Sequence, residues 1–409
     1  MIFFVYFFVL LCKILNMDQI FTDRMHDELQ IRWDNLQTRM KAENVNACLI
    51  TSNVNIYYML GRIISGYVYI LQEGEPWIFV RKPVELEGDK VRYIRKAEQI
   101  PDILAAEGIA LPNILLMEGD ELPYSEWMRY QDALRPVAVV NGSSLIRELR
   151  SVKTEYELEQ LKFSARLQSQ ALREVPLLYR SGMTDHQLTV EVERIFRLKG
   201  CLGAFRIYGR SMEAFMGSTL VGDNAAYPSP FDFALGGEGM HPSLPIGHKG
   251  TLLEPGMSVM IDINGNFSGY ISDQSRTFSI GKIDEKADYA HRVSLDIQDE
   301  LAEMGKPGVS CGELYDRAME IVVRHNLQDC FMGTKQQAKF VGHGIGLVIN
   351  ELPVICGNNK MELKEGNAIA LEPKFVINGV GAVGTENSFI VKNNGMEKIT
   401  FAPEEIIEL

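Results

Sequence analysis

Four carboxylates stand beside apolar runs in the second half of the sequence. Asp262 falls inside the apolar run 259–263, and Asp273 follows it eleven residues later. Glu372 precedes a proline, and Glu386 leads into a strand-like run. Carboxylates in such settings are costly to bury unless they are paired or bound to a metal ion. Brought together, they would present four negative charges, which two divalent cations would balance.

A histidine adds the one nitrogen ligand of the pattern. His343 lies in the run Gly-His-Gly-Ile-Gly over 342–346, whose glycines let the backbone approach other groups closely. Oxygen-rich ligation with one imidazole suits Mn, Co, Fe or Zn. Two such ions about 3.5–4 Å apart can share a water, lower its pKa and stabilise a developing oxyanion. Any one of these residues alone is more often structural than a ligand, so the prediction depends on the joint pattern.

The ordered pattern resembles that of the creatinase/aminopeptidase P/prolidase family, the pita-bread metallopeptidases. Asp262 is followed eleven positions later by Asp273, and the motifs Gly-His-Gly, Leu-Glu-Pro and Thr-Glu-Asn then follow in that order. The resemblance covers nearly everything after Met17. Other segments that match the family are 55–61, 149–154, 269–273, 275–277 and Glu351-Leu352-Pro353.

The resemblance implies an α+β fold with a C-terminal pita-bread domain, a curved antiparallel sheet flanked by helices, and an N-terminal α/β creatinase-type domain. It also implies that Glu372 acts as general base toward a water bridging two metal ions. The implied activity is hydrolysis of a peptide or amide bond in the manner of an Xaa-Pro aminopeptidase or prolidase, and the implied assembly is a homodimer. The implied ligands of two divalent ions are Asp262, Asp273, His343, Glu372 and Glu386.

Three departures from the family pattern concern the groups around the metals. Asn350 stands where the peptidases usually carry a second histidine, and Ile246 where they carry a histidine upstream of the first ligand. His241 and His248 lie close enough in sequence to replace the latter after a shift of register. Gly384 stands where prolidase-like members have an arginine. Asn350 can donate a hydrogen bond to an oxyanion but cannot transfer a proton at neutral pH. The candidate catalytic residues are Glu372, Asn350, His241 and His248.

These departures leave three functions open. The first is a dinuclear metal-dependent peptidase. The second is a metal-dependent enzyme of another class on the same fold, such as a lyase or an amidinohydrolase-like enzyme that cleaves a C–N or C–S bond. The third is a non-catalytic binding homologue, against which the complete ligand set argues. The expected partner is a small peptide or another small molecule.

Sequence patterns also predict the elements that position these residues. Capping boxes at Thr154, Thr184 and Ser310 predict helix starts, the first helix running to about Tyr179. An apolar extension over 1–16, an α/β domain over 17–151 and a catalytic domain over 152–409 are the expected divisions. The expected strands of the catalytic domain are Ser258–Ile263, Tyr270–Ile280, Ala368–Ile377 and Asn387–Val391.

Composition limits the functional class. Lys and Arg number 41 against 54 Asp and Glu, a net charge of −13 that argues against a nucleic-acid binder. The cysteines form no C-x-x-C pair, which favours reduced thiols and a cytoplasmic location. The run 1–16 is too short to span a membrane and lacks a signal-peptide cleavage site, so we interpret it as a start assigned too early or as an atypical export or anchoring segment. No membrane association is otherwise expected.

Overall fold

The computed structural model describes residues 24–209, 212–213 and 215–409. The interpretation of 1–16 therefore lies outside the described residues. The chain divides into two compact units between Leu149 and Arg150. Within the described residues, no helix combines the length and the apolar character that crossing a bilayer requires.

The first unit contains a mixed sheet with helices. The strand order is β4-β3-β2-β1-β5-β6, with β1 antiparallel to β2 and parallel to β5. This alternation of strands and helices agrees with the predicted α/β domain. The strands are β1 (Ala47–Ile50), β2 (Ser65–Leu71), β3 (Trp77–Lys82), β4 (Val91–Tyr93), β5 (Ile114–Met117) and β6 (Ala138–Asn141). The helices are α1 (24–42), α2 (Asn53–Leu60), α3 (Ile100–Ala106), α4 (Tyr124–Leu134) and, continuing past the boundary, α5 (Ser143–Ser151).

The second unit is built from largely antiparallel sheets. One has the order β11-β10-β12-β15-β16, another β17-β9-β8-β7, and β13 pairs with β14. The strands are β7 (Gly217–Val221), β8 (Ser258–Asn266), β9 (Ile271–Ser279), β10 (Phe340–Gly344), β11 (Glu351–Cys356), β12 (Ala368–Leu371), β13 (Lys374–Ile377), β14 (Gly381–Gly384), β15 (Asn387–Lys392), β16 (Gly395–Lys398) and β17 (Ile407–Glu408).

Helices cover these sheets and begin where the capping boxes predict. The hydroxyls of Thr154, Thr184 and Ser310 each accept the backbone N–H three residues on, at the starts of α6, α7 and α9. The first of these helices ends before the predicted Tyr179, because Pro176 lies in the short 3₁₀ turn that follows. The helices are α6 (Glu155–Leu172), α7 (Asp185–Leu198), α8 (Glu285–Met304) and α9 (Cys311–Arg324).

Two large apolar cores lie within the second unit. One joins α8 and α9 to β10, β12 and β15, with residues such as Ile297, Leu314 and Ile369 fully buried. The other joins α6 and α7 to β8 and β9, with residues such as Leu188 and Val259 fully buried. Helices thus cover both sheets, and the strand ends between the two cores are left to carry polar groups.

The single strand predicted over Ala368–Ile377 is two strands in different sheets. β12 ends at Leu371 and β13 begins at Lys374. Pro373 lies between them and has no N–H to donate to a continuing ladder. The break brings Glu372 and Lys374 to the same end of the sheets.

Candidate metal centre

The hairpin of β8 and β9 presents two of the predicted ligands on one face. In its register Asp262 lies opposite Ser275, and Asn264 lies opposite Asp273. Successive side chains of a strand alternate between faces, so residues two apart share one face. Asp262, Asn264, Asp273 and Ser275 therefore point to the same side of the hairpin.

The other three predicted ligands come from neighbouring strand ends. His343 lies on β10 opposite Ala370 of β12, and Glu372 directly follows that strand. Glu386 directly precedes β15, and an isolated bridge joins its backbone to Ser275 of β9. The chain thus brings together five residues that lie up to 124 positions apart (386 − 262).

These five residues form two groups that share Glu386. Asp273, His343 and Glu386 form one group, and Asp262 and Glu372 join Glu386 in the other. Within each group, one candidate ligand atom per residue lies within 4.8 Å of the others. The predicted ligand set is therefore clustered in space, and each group can be tested for its fit to a metal ion.

The first group fits a divalent ion. Glu386 Oε1 is buried and has no hydrogen-bond partner among the described residues. His343 Nδ1 lies 3.0 Å from the Gly344 carbonyl oxygen, a contact that places the proton on Nδ1 and leaves the Nε2 lone pair free. Nε2 lies 3.9 Å from Asp273 Oδ2. A lone pair and carboxylate oxygens that face one another repel unless a cation lies between them.

The electrostatics of Asp273 and Glu386 also call for a cation. Burial, together with the neighbouring carboxylate charges, raises the pKa of Asp273 well above its ordinary value. The same causes raise the pKa of Glu386. Because a metal ion favours the ionised form of each ligand, its binding would offset both effects.

The second group does not fit a metal ion, because Lys374 occupies it. The Lys374 ammonium donates to Asp262 Oδ2 at 2.8 Å, to Glu372 Oε2 at 2.6 Å and to Glu386 Oε2 at 3.1 Å. Burial alone would lower the pKa of Lys374, but the three carboxylate charges around it raise that pKa well above its ordinary value. The lysine is therefore a charged group at the place where the expected second metal would bind.

Hydrogen bonds from the surrounding strands fix the carboxylates. The Ser275 hydroxyl donates to Glu386 Oε2 at 2.6 Å, and the Gln274 N–H donates to Asp273 Oδ1 at 3.0 Å. With its nitrogen turned toward Asp273, the Asn264 amide lies 3.2 and 3.3 Å from the two carboxylate oxygens. The buried Arg276 donates to the Glu386 carbonyl at 2.8 Å and so holds the backbone of that ligand.

The cluster forms the floor of a cavity of about 700 Å³, including its open mouth. Its walls are mostly apolar. They contain Phe205, Ile207, Phe215, Phe233, Leu235, Ile246, Phe340 and Ile349. Apolar walls with a few convergent polar groups are typical of small-molecule sites.

The structure separates the other predicted catalytic residues. Asn350 lines the cavity, but its Oδ1 accepts the Tyr208 N–H and its Nδ2 donates to the Tyr208 carbonyl, both at 2.7 Å. His241 is exposed and lies 2.8 Å from the Ser243 hydroxyl. His248 lies 3.0 Å from His186.

The structure therefore gives no support to the register shift proposed for the two histidines. Neither lines the cavity, and Ile246 between them does. The loop turns the apolar side chain inward, and its two histidines hydrogen-bond to neighbouring surface groups. Asn350 reaches the cavity, where the Tyr208 backbone holds both ends of its amide, and one of its two Nδ2 hydrogens is left for the expected oxyanion contact.

Gly384 leaves no room for the arginine of prolidase-like members. Its φ is +129°, a conformation that side chains with a Cβ rarely adopt. A Cβ there would lie 2.5 Å from the Pro373 carbonyl oxygen. The absence of the arginine is thus built into the backbone of β14.

Sequence reasoning missed Lys374 and Asn264. Both signals were present, because Asn264 lies two residues after Asp262 and Lys374 two residues after Glu372. In extended chain, residues two apart share a face. A search for polar residues two positions from each predicted ligand would have found both.

Comparison with known proteins agrees with this architecture. The model of metallopeptidase family M24 matches residues 159–393, more than half of the chain, and that of the creatinase/prolidase N-terminal domain matches 32–152. A Xaa-Pro dipeptidase of Pyrococcus furiosus is 25% identical over 383 residues, which cover 92% of this chain and 99% of that protein.

Solved structures show the same fold. A Xaa-Pro dipeptidase from Bacillus anthracis has a TM-score of 0.77 at 21% identity and covers 93% of this chain and 100% of that one. An X-Pro aminopeptidase from Thermotoga maritima has a TM-score of 0.75 at 21% identity and covers 92% and 99%. The resemblance and the α+β pita-bread fold predicted from sequence are confirmed. The chain therefore belongs to metallopeptidase family M24, and its activity class is that of a peptidase-type hydrolase.

Proposed function

We propose that this protein is a metal-dependent peptidase that cleaves the bond between an N-terminal residue and a following proline. The observation that supports it is the Asp273, His343 and Glu386 group on the floor of an apolar cavity, in a chain of family M24. Relatives named Xaa-Pro dipeptidase and X-Pro aminopeptidase support the choice of bond.

The residues of the site divide the work of hydrolysis. A divalent ion bound by Asp273, His343 and Glu386 would supply Lewis-acid polarisation and a water of lowered pKa. Glu372 keeps one carboxylate oxygen on Lys374, and the other lies 3.5 Å from His343 Nε2 at the cavity floor. That second oxygen is placed to accept a proton from a nucleophilic water.

The charge of the site favours a free amino terminus in the substrate. Four ionised carboxylates and one ammonium sum to −3, and one divalent ion brings the sum to −1. A protonated α-amine is attracted to such a site, and the apolar walls suit a proline ring. Among the described residues that line the cavity, none is Lys or Arg.

A free carboxylate on the proline would therefore find no Lys or Arg partner among the described lining residues. We expect the amide-capped substrate Xaa-Pro-NH₂, or a longer Xaa-Pro-led peptide, to be cleaved with at least about tenfold higher kcat/KM than the free dipeptide, a difference of about 1.4 kcal/mol. Steady-state kinetics on matched pairs with the same first residue measures the ratio. A free dipeptide cleaved as fast as its capped partner would contradict this substrate preference.

The peptidase proposal is tested with protein reconstituted with Mn²⁺ or Co²⁺. A panel of Xaa-Pro dipeptides, capped dipeptides and longer Xaa-Pro-led peptides is compared with Xaa-Ala peptides of equal length. Cleavage confined to the proline series supports the proposal. If the metal-loaded, folded protein cleaves no peptide of the panel, the peptidase proposal is wrong.

One observation favours a second candidate, a metal-dependent enzyme acting on a non-peptide molecule. The positions at which the family pattern would place histidines hold Ile246 and Asn350, and both ends of the Asn350 amide are hydrogen-bonded to the Tyr208 backbone. Among the described residues that line the cavity, His343 is therefore the one imidazole, and the other acidic or basic side chains are the carboxylates Asp262, Asp273, Glu372 and Glu386. Turnover of a small C–N or C–S substrate, with all peptides inert, would select this candidate.

A further inference from the structure

Lys374 is a buried cation inside the carboxylate cluster. Its side chain is fully buried, and its Nζ lies 2.6–3.1 Å from one oxygen each of Asp262, Glu372 and Glu386. These are the three residues of the second candidate metal group. An ammonium has three N–H donors, and three carboxylates accept them. The lysine thus already provides the charge and hydrogen bonds for the three carboxylates that a second metal ion would need as ligands.

Charge counting supports the same conclusion. The four carboxylates contribute −4 and the ammonium +1, so one divalent ion leaves the site at −1. A second divalent ion would bring the sum to +1 and would lie against the ammonium with which it shares ligands. Adding that ion would therefore replace an existing attraction with repulsion between two cations.

The backbone fixes the lysine in this position. Lys374 opens β13 opposite Gly384, and its carbonyl accepts the Met332 N–H at 2.8 Å. Pro373 precedes it and restricts the local backbone. With its three donors engaged, the ammonium has none left for a substrate. Lys374 is therefore a positioning residue that holds three carboxylates, and it is not a catalytic one.

We propose that the Lys374 ammonium takes the place of the second metal ion, so that the site works with one divalent ion held by Asp273, His343 and Glu386. This proposal rests on the metal dependence of the proposed function and is independent of its substrate. It replaces the expectation of a dinuclear site.

Metal stoichiometry tests the proposal directly. The full chain, stripped of metal and titrated with Mn²⁺, is measured by calorimetry and by elemental analysis after desalting. Wild type is expected to bind one ion per chain and to give the electron paramagnetic resonance spectrum of an isolated ion. Lys374→Ala removes the charge and opens the space, and it is expected to bind two ions with the spectrum of an exchange-coupled pair. Lys162→Ala removes an exposed lysine and is expected to match wild type.

A second comparison does not depend on the lysine variant folding. Asp262→Asn is expected to keep the single ion with affinity within about threefold of wild type, because Asp262 is not one of its ligands. Asp273→Asn is expected to weaken the affinity for that ion by at least about 100-fold, which is more than the loss of a supporting hydrogen bond costs.

Two ions in wild type, or an exchange-coupled spectrum from it, would overturn the proposal. So would loss of the single ion in Asp262→Asn, or a folded Lys374→Ala that still binds one ion. Wild type with one bound ion but no cleavage of any peptide would overturn the peptidase function and leave the single-ion site standing. No ion in any form would overturn both.

Discussion

Asp273→Asn is expected to reduce kcat/KM on a cleavable peptide by at least about 1000-fold, equivalent to about 4 kcal/mol of transition-state stabilisation. Asp273 offers a candidate carboxylate ligand in the group with His343 and Glu386, and asparagine would offer a neutral carbonyl oxygen of the same shape. Steady-state kinetics at saturating Mn²⁺ measures the loss. Because the substitution removes one of several crowded carboxylates, the melting temperature of the metal-free protein should stay unchanged or rise. This measurement separates loss of function from loss of fold.

A matched control is available in the same unit. Asp185 is also buried, and its carboxylate accepts backbone N–H groups of His186, Lys249 and Gly250, away from the cavity. Asp185→Asn is expected to cost about 1–3 kcal/mol of stability while kcat/KM stays within about twofold of wild type. Asp273→Asn with wild-type turnover would show that the first group does not hold a functional metal ion.

Glu351→Ala is expected to lower the free energy of unfolding by about 3–5 kcal/mol. Glu351 is buried, lies 2.9 Å from Lys153 Nζ through its Oε2, and accepts from Arg150 through its Oε1. Both cations are buried too, so removing the carboxylate takes away an acceptor and a counter-charge that they share. Urea unfolding at pH 7 measures the change. Glu397→Ala breaks an exposed pair with Lys162 and should cost less than about 1 kcal/mol.

The pH dependence of this ion-pair cluster has a definite sign. Burial alone would raise the pKa of Glu351, but the Arg150 and Lys153 charges lower it to about 2. The unfolded chain protonates this carboxyl near pH 4.3, so the stabilisation of roughly 3 kcal/mol is complete above that pH and is lost as the pH falls toward 2. The stability difference between wild type and Glu351→Gln should narrow between pH 5 and 3. A difference that stays constant over this range would contradict the assigned pKa.

The clustering of the five candidate ligands could be predicted from sequence because their order along the chain resembles that of the creatinase/aminopeptidase P/prolidase family. Asp262 stands in an apolar strand, and His343 stands between two glycines. A carboxylate in such a strand must find a cation, so the residues constrain one another even without coordinates. The capping boxes of α6, α7 and α9 were equally readable, since a cap involves only residues three positions apart.

Lys374 escaped prediction because a lone lysine after a proline reads as a surface residue. Only the tertiary fold shows that its strand starts at the carboxylate cluster. The sequence also hid the break between β12 and β13, since apolar residues continue on both sides of Pro373. The proposed number of metal ions therefore depends on a residue whose sequence signal is its position two residues after Glu372.

The loop histidines failed for a different reason. Residues 227–250 contain no long periodic element, so the direction of each side chain is set by turns and not by a repeat. Sequence distance placed His241 and His248 near the expected position, but burial selected the apolar Ile246. Proximity along a loop is weak evidence for proximity in space.

The double hydrogen bond of Asn350 to Tyr208 couples position 350 to the cavity wall. The Asn350 side-chain amide pairs with the Tyr208 backbone as a neighbouring strand would. The same segment contributes Phe205 and Ile207 to the cavity wall. An imidazole ring cannot present a donor and an acceptor side by side to the N–H and carbonyl of a single residue. A histidine at position 350 would therefore offer a proton-transferring group and, in the same step, would lose the paired hydrogen bonds that hold this part of the cavity wall.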